Sequence, residues 1–315
     1  MTDTLEVAPW WPVLAGWASG PAWLLPGPCP VTAACRGSLP HVARQRVPSG
    51  PPAAAPVQRL RLRYARRGRL RFSSGRDFQR ALERAVRLAG VPMAYSSGFH
   101  PHPRISYANA APTGVASEAE YVELALAARV DPDELARSVD AALPVGLDIV
   151  EAVEAGPGSL AERLEASHWR LAFRDGCAGA SPGSTIDALG AAIEAFLAAE
   201  RIEVTRVTKS GPKTFDARGP VLRAEFTEFT ESTQGPDAAG GGPGKLCAIL
   251  ETVVRHTTPV VRPDDFLSAL RSIAGLELSS PPLVTRLAQG PLSGEPPRVA
   301  DPLAADRNVI GTCDR

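Results

Sequence analysis

Val57-Gln58-Arg59-Leu60-Arg61-Leu62-Arg63-Tyr64 alternates apolar and arginine residues over a full strand length, and its reading decides the fold. A period of two sends Leu60, Leu62 and Tyr64 to a core and Arg59, Arg61 and Arg63 to an arginine-lined outer face. Arg67-Gly68 turns the chain into Leu70 to Phe72. Ser74 or Asp77 then caps a helix to about Ala89, with Phe78, Leu82, Ala85, Val86 and Ala89 on its apolar stripe and Gly90 at its end. Ile105 to Ala108 and Tyr121 to Ala127 read as strands. Asp131-Pro132 opens a helix through Leu143, and Leu147 to Val153 closes the unit as a strand.

The order β, α, β, β, α, β in about a hundred residues is the ferredoxin-like split-βαβ pattern. It repeats. His168 to Phe173 reads as a strand, Thr185 to Ala199 as a helix and Glu203 to Thr208 as an extra strand. Pro220 to Phe229 and Lys245 to Val254 form a hairpin, Arg262-Pro263-Asp264-Asp265 opens a helix to Ile273, and Pro282 to Leu287 ends the second copy. The fold class is therefore α+β, with two tandem ferredoxin-like halves and disordered N- and C-terminal extensions. Residues 1–56 read as a disordered extension or an over-extended translation start, and 57–157 as the first domain. Residues 158–289 read as the second, with a Gly-rich insert at 235–244, and the Pro-rich polar stretch 290–315 as a disordered tail.

The formal net charge of the 315 residues is zero, but the charge is polarised along the chain. Arg59 to Arg104 holds twelve arginines against two acids, and Glu118 to Glu165 holds twelve acids against three arginines. Lysine occurs only at Lys209, Lys213 and Lys245, a usage that resembles GC-rich coding bias. Five scattered cysteines without CxxC spacing offer neither a zinc ribbon nor a disulfide framework and fit a reducing cytoplasm. The apolar run from Val7 to Leu25 is broken by Pro9, Pro12 and Pro21 and lacks a basic flank, so no membrane anchor is expected.

Met93 to Gly114 has no helical period and holds His100 and His102 between Pro101 and Pro103, which stiffen the backbone around both imidazoles. Two histidines at i and i+2 are weak metal candidates, since zinc needs a third protein ligand and no residue has diagnostic spacing. With Asp77 they are also weak catalytic candidates. The stronger pattern is cationic and aromatic. Arg59, Arg61, Arg63, Arg71, Arg76 and Arg104, with Arg80, Arg84 and Arg87 at helical spacing, stand near Tyr95, Phe99, His100 and His102. This combination suits phosphate neutralisation and base stacking, as in single-stranded RNA binders built on four-stranded sheets. Arg206, Lys209, Lys213 and Arg218 around a Gly-Pro turn extend the cationic surface.

Tyr95-Ser96-x-Gly98-Phe99-His100-Pro101-His102-Pro103-Arg104-Ile105-Ser106, followed by Pro112-x-Gly114 and Ser117-Glu118-x-Glu120-Tyr121, resembles the radical-SAM-associated (radical-SAM-linked) protein family. The likeness is strongest over Val57 to Val153. The family's Leu-Arg-Phe-x-Ser-His-x-Asp is here Leu70-Arg71-Phe72-Ser73-Ser74-Gly75-Arg76-Asp77, with glycine in place of the histidine. The resemblance implies a cytoplasmic accessory or substrate-presenting module for a radical SAM protein, its ligand read as RNA or another polyanion. The chain lacks a CxxxCxxC motif, so an iron-sulfur cluster and S-adenosylmethionine are expected only on the partner, and no cofactor in this chain. The alternatives are a metal-assisted or histidine-based hydrolase or nucleotide-processing enzyme, and a purely structural partner-binding subunit.

Overall fold

The computed structural model describes residues 53–174, 182–209, 211–228, 246–278 and 280–310. Residues 1–52 of the expected 1–56 extension and the Gly-rich insert 235–244 lie outside the described residues. The first half contains β1 (Gln58–Arg66), a 3-10 turn (Gly68–Phe72), α1 (Gly75–Leu88), β2 (Ile105–Ala108), β3 (Ala116–Leu126), α2 (Pro132–Ala142) and β4 (Leu147–Glu154). A one-turn helix α3 (Leu160–Arg163) leads into β5 (Ala166–Arg174), α4 (Pro182–Ala198), β6 (Glu203–Thr208), β7 (Gly211–Asp216), β8 (Val221–Glu228), β9 (Leu246–Arg255), α5 (Pro263–Ala274) and β10 (Leu283–Gly290). Two short strands, β11 (Leu292–Ser293) and β12 (Arg298–Val299), and α6 (Ala304–Ile310) follow.

The result is a mixed α/β fold around one large, mostly antiparallel sheet. Its order is β4-β1-β3-β10-β5-β9-β8, with β2 added on β3. β3 joins the halves because it is long enough to serve two partners. Ala116 and Ser117 pair in parallel with Thr285 and Arg286 of β10, while Tyr121 to Leu124 pair antiparallel with β2. β6 and β7 pair only with each other, so the extra strand expected in the second half stands off the main sheet.

Each half has its own core, and the sequence periods explain both. Leu60, Leu62 and Tyr64 of β1 meet Phe78, Leu82, Ala85 and Val86 of α1, and Phe78 stacks on Tyr64 with centroids 4.2 Å apart. Ser74 starts α1 through a capping box: its hydroxyl accepts from Asp77 N, and Asp77 accepts from Ser74 N. In the second half Trp169, Leu171 and Phe173 of β5 pack on Leu189, Ile193 and Phe196 of α4 and Phe266 and Leu270 of α5.

The Arg67-Gly68 turn leads into a 3-10 turn over Gly68 to Phe72, and Gly68 at φ +54° provides its left-handed entry. Two expectations are corrected. Residues 290–310 are folded, not a disordered tail; Leu303 and Asp306 are fully buried. The outer face of β1 is not an open arginine surface. Ala119, Tyr121 and Val153 on that side of the sheet pack under Leu160, Leu164 and Leu303, and Arg61 is 2% exposed. Its guanidinium is held by both oxygens of Asp306, by Glu123 at 3.0 Å and by the Gly158 carbonyl. A buried guanidinium needs a carboxylate, and the C-terminal segment brings one.

Candidate polyanion-binding surface

The cationic residues divide into committed and free groups. Arg59 is exposed but lies 3.5 Å from Glu123. Arg61 is buried as described, and Arg63 is half-buried beside Tyr121. Arg71 is half-buried, its guanidinium 4.8 Å from the Phe72 ring centroid. Lys209 and Lys213 are exposed at the β6–β7 hairpin, where Arg206 instead pairs with Asp265 at 2.7 Å and Arg218 donates to the Val221 carbonyl.

Arg76, Arg80, Arg84 and Arg87 are all exposed, and no ion pair among the described residues involves them. Their spacing puts them on the face of α1 opposite buried Phe78, Leu82, Ala85 and Val86, in a row about 16 Å long at the helical rise. Like charges at i, i+4 repel, each pair destabilising the helix by about 0.2–0.5 kcal/mol. A polyanion along the row would reverse that repulsion.

The chain leaves α1 through Gly90 and builds a narrow hairpin. Ala94 N donates to Ala125 O, Arg104 N to Ala94 O and Ala125 N to Arg104 O, which fixes the two legs against the end of β3. Nearer the tip Ser96 N donates to His102 O, and the Ser96 hydroxyl accepts from His102 N. Phe99 (66%) and Tyr95 (52%) are exposed, as are His100 and His102, while Arg104 is half-buried in the leg. The motif is therefore a braced, aromatic-tipped projection. Among the described residues no group of three or more His, Cys, Asp or Glu side chains is placed to hold a metal ion. Asp77 is committed to the α1 cap, where the Ser74 hydroxyl holds its carboxyl below the usual range. Among the described residues no helix is long and apolar enough to cross a membrane.

Residues 59–263, well over half of the chain, match the family described as "Uncharacterized protein conserved in bacteria (DUF2344)". The chain belongs to this family. The matched DUF2344 span includes the α1 row, the 94–104 hairpin and the β6–β7 lysines. No curated protein matches the chain. Among solved structures, DyPB from Rhodococcus jostii RHA1 (crystal form 2) aligns at 13% identity over 76% of this chain and 92% of that one. Its TM-score of 0.18 is too low to carry an argument.

Sequence reasoning missed a set of buried polar residues where β3 meets β10: Arg66, Glu120, Arg286 and Gln289, with Asn109 and His256 beside them. One signal was available. Arg286 is the lone charge in Leu-Val-Thr-Arg-Leu-Ala-Gln-Gly, a strand otherwise free of ionisable groups.

Proposed function

We propose that this DUF2344 protein is a non-catalytic accessory module that binds single-stranded RNA along α1 and the 94–104 hairpin and presents it to a radical SAM protein. The observation that carries the reading is the row Arg76, Arg80, Arg84 and Arg87, exposed and without ion pairs among the described residues. It leads toward a hairpin with two exposed aromatic side chains, Tyr95 and Phe99. Charge along a groove or helix with neighbouring stacking faces is how sequence-tolerant single-strand binders work. On this reading the ligand lies along the helix layer, because α3 and the C-terminal segment cover the outer sheet face. The radical SAM partner rests on the resemblance of the 95–121 motif, and with it the expectation that the iron-sulfur cluster and S-adenosylmethionine sit on that partner in the cytoplasm.

We also read the two halves as tandem ferredoxin-like units. Supporting this, the first half orders its strands β4-β1-β3-β2 and the second β10-β5-β9-β8, the same order by position in each β-α-β-β-α-β run.

The test is RNA binding by fluorescence anisotropy over a salt series. Replacing Arg80 and Arg84 with alanine should weaken binding across sequences and flatten the log-log salt slope by about 0.7 for each phosphate no longer neutralised. Phe99→Ala should cost about 1–3 kcal/mol with little change in slope, as expected for a stacked base. Equal binding by wild type and the double arginine variant would reject the RNA reading and favour a purely protein-binding subunit.

A further inference from the structure

The strand seam between the halves carries two deeply buried cations. Arg66 of β1 and Arg286 of β10 are both register partners of Ser117 on β3, one on each side, and Arg286 is in turn opposite Trp169 on β5. Residues paired across adjacent strands project from the same face, at steps of about 5 Å. Arg66 (4% exposed) and Arg286 (3%) therefore both stand beside a fully buried serine in the register.

Their partners do not balance their charge. Arg66 Nη2 donates to the neutral carbonyls of Ala111, Pro112 and Val115. Arg286 Nη1 donates to Asn109 O at 2.7 Å and Glu120 Oε1 at 3.3 Å, and its guanidinium lies 4.7 Å from the Trp169 ring centroid. The Nε of each arginine is buried without a hydrogen-bond partner. Among the described residues Glu120 is the one carboxylate ion-paired with either. Tyr64 and Tyr121 add no negative charge, because burial pushes both hydroxyls up. Guanidiniums do not deprotonate in proteins. Two cations against one carboxylate leave one positive charge uncompensated in a low-dielectric seam, which is strongly unfavourable unless a counter-charge joins it.

We propose that Arg66, Arg286 and Ser117 form a binding site for one small monovalent anion, a halide ion or a compact carboxylate, that completes the seam between the two halves. One negative charge balances the set, and a dianion would over-compensate it. The Ser117 hydroxyl accepts from Ala119 N at 3.3 Å, which leaves its proton to donate to the anion.

The experiment is thermal unfolding of the full chain as chloride or formate replaces gluconate, too bulky for the site, at constant ionic strength. Near saturation Tm should rise by about 5 °C. A larger response to chloride identifies the halide, and a larger response to formate identifies a carboxylate. Ser117→Asp puts a carboxylate at the register partner of both arginines and should abolish the dependence while retaining the Tm of the anion-bound wild type. A Tm flat in both anions overturns the site, as does a response that survives unchanged in Ser117→Asp. Should that variant fail to fold, a wild-type crystal soaked in the anion that raised Tm, with bromide standing in for chloride, decides: density for that anion beside Ser117 supports the site, and its absence there overturns it.

Discussion

Replacing Asp306 with alanine removes the carboxylate that ties the C-terminal segment to the first strand. Both of its oxygens accept from Arg61 Nη1, at 2.9 and 3.0 Å; Oδ1 also accepts from Gly156 N and Oδ2 from Arg163 Nη1, each at 2.9 Å. The residue is fully buried, and so, at 2% exposure, is Arg61. Stripping one partner from a buried ion pair costs about 3–5 kcal/mol, because the other charge stays buried. Two features move this case to the lower end. Arg61 keeps Glu123 and the Gly158 carbonyl, and the Arg163 side chain, 18% exposed, reaches solvent. We expect a loss of about 3 kcal/mol, read in urea unfolding as a lower midpoint at unchanged m-value and in calorimetry as a Tm fall of about 6–12 °C. Asp306→Asn keeps the shape and one acceptor and should fall between wild type and alanine. Ending the chain at Gly290 should destabilise more than either, since it also uncovers Leu160 and Leu164. A midpoint within about 0.5 kcal/mol of wild type, the usual effect of a surface change, would refute the reasoning and return the segment to an unattached tail.

Gly290→Ala should be destabilising by overpacking, about 1–3 kcal/mol by chemical denaturation, because a Cβ there runs into the Ala300 carbonyl and meets Pro302 Cδ at 3.0 Å. His256 donates from Nδ1 to Leu164 O at 2.7 Å and accepts at Nε2 from Ser167 at 2.8 Å, and burial pulls its pKa below the ordinary 6.5. Below pH 6.5 the unfolded chain takes up a proton that the folded chain refuses, so stability should fall from about pH 7 toward 5, and His256→Gln should flatten that slope. Burial pushes the Asp216 carboxyl up, but backbone donors at Ile202, Arg218 and Gly219 more than offset this and hold it below 3.8. Its contribution is full above pH 3.8 and is lost as pH falls through the depressed value; Asp216→Ala should cost about 1–2 kcal/mol and speed amide exchange in β6 and β7.

Local pattern determined much of this protein. The alternation of Leu60, Leu62 and Tyr64 and the stripe Phe78, Leu82, Ala85 and Val86 placed the first core, because strand and helix periods follow from backbone geometry alone. The same period put Arg76, Arg80, Arg84 and Arg87 on the outer side of α1, and of the two cap candidates in the sequence, Ser74 and Asp77, the structure makes Ser74 the N-cap. What period cannot decide is whether the second side of a strand meets water or protein. Arg59, Arg61 and Arg63 look alike in sequence, yet Arg61 is buried because Asp306, 245 residues later, arrives to neutralise it. Arg66 and Arg286 likewise gain their meaning from a register in which both flank Ser117. The energy of a buried charge depends on partners brought from anywhere in the chain, so only the tertiary structure separated the arginines that pair internally from those left exposed.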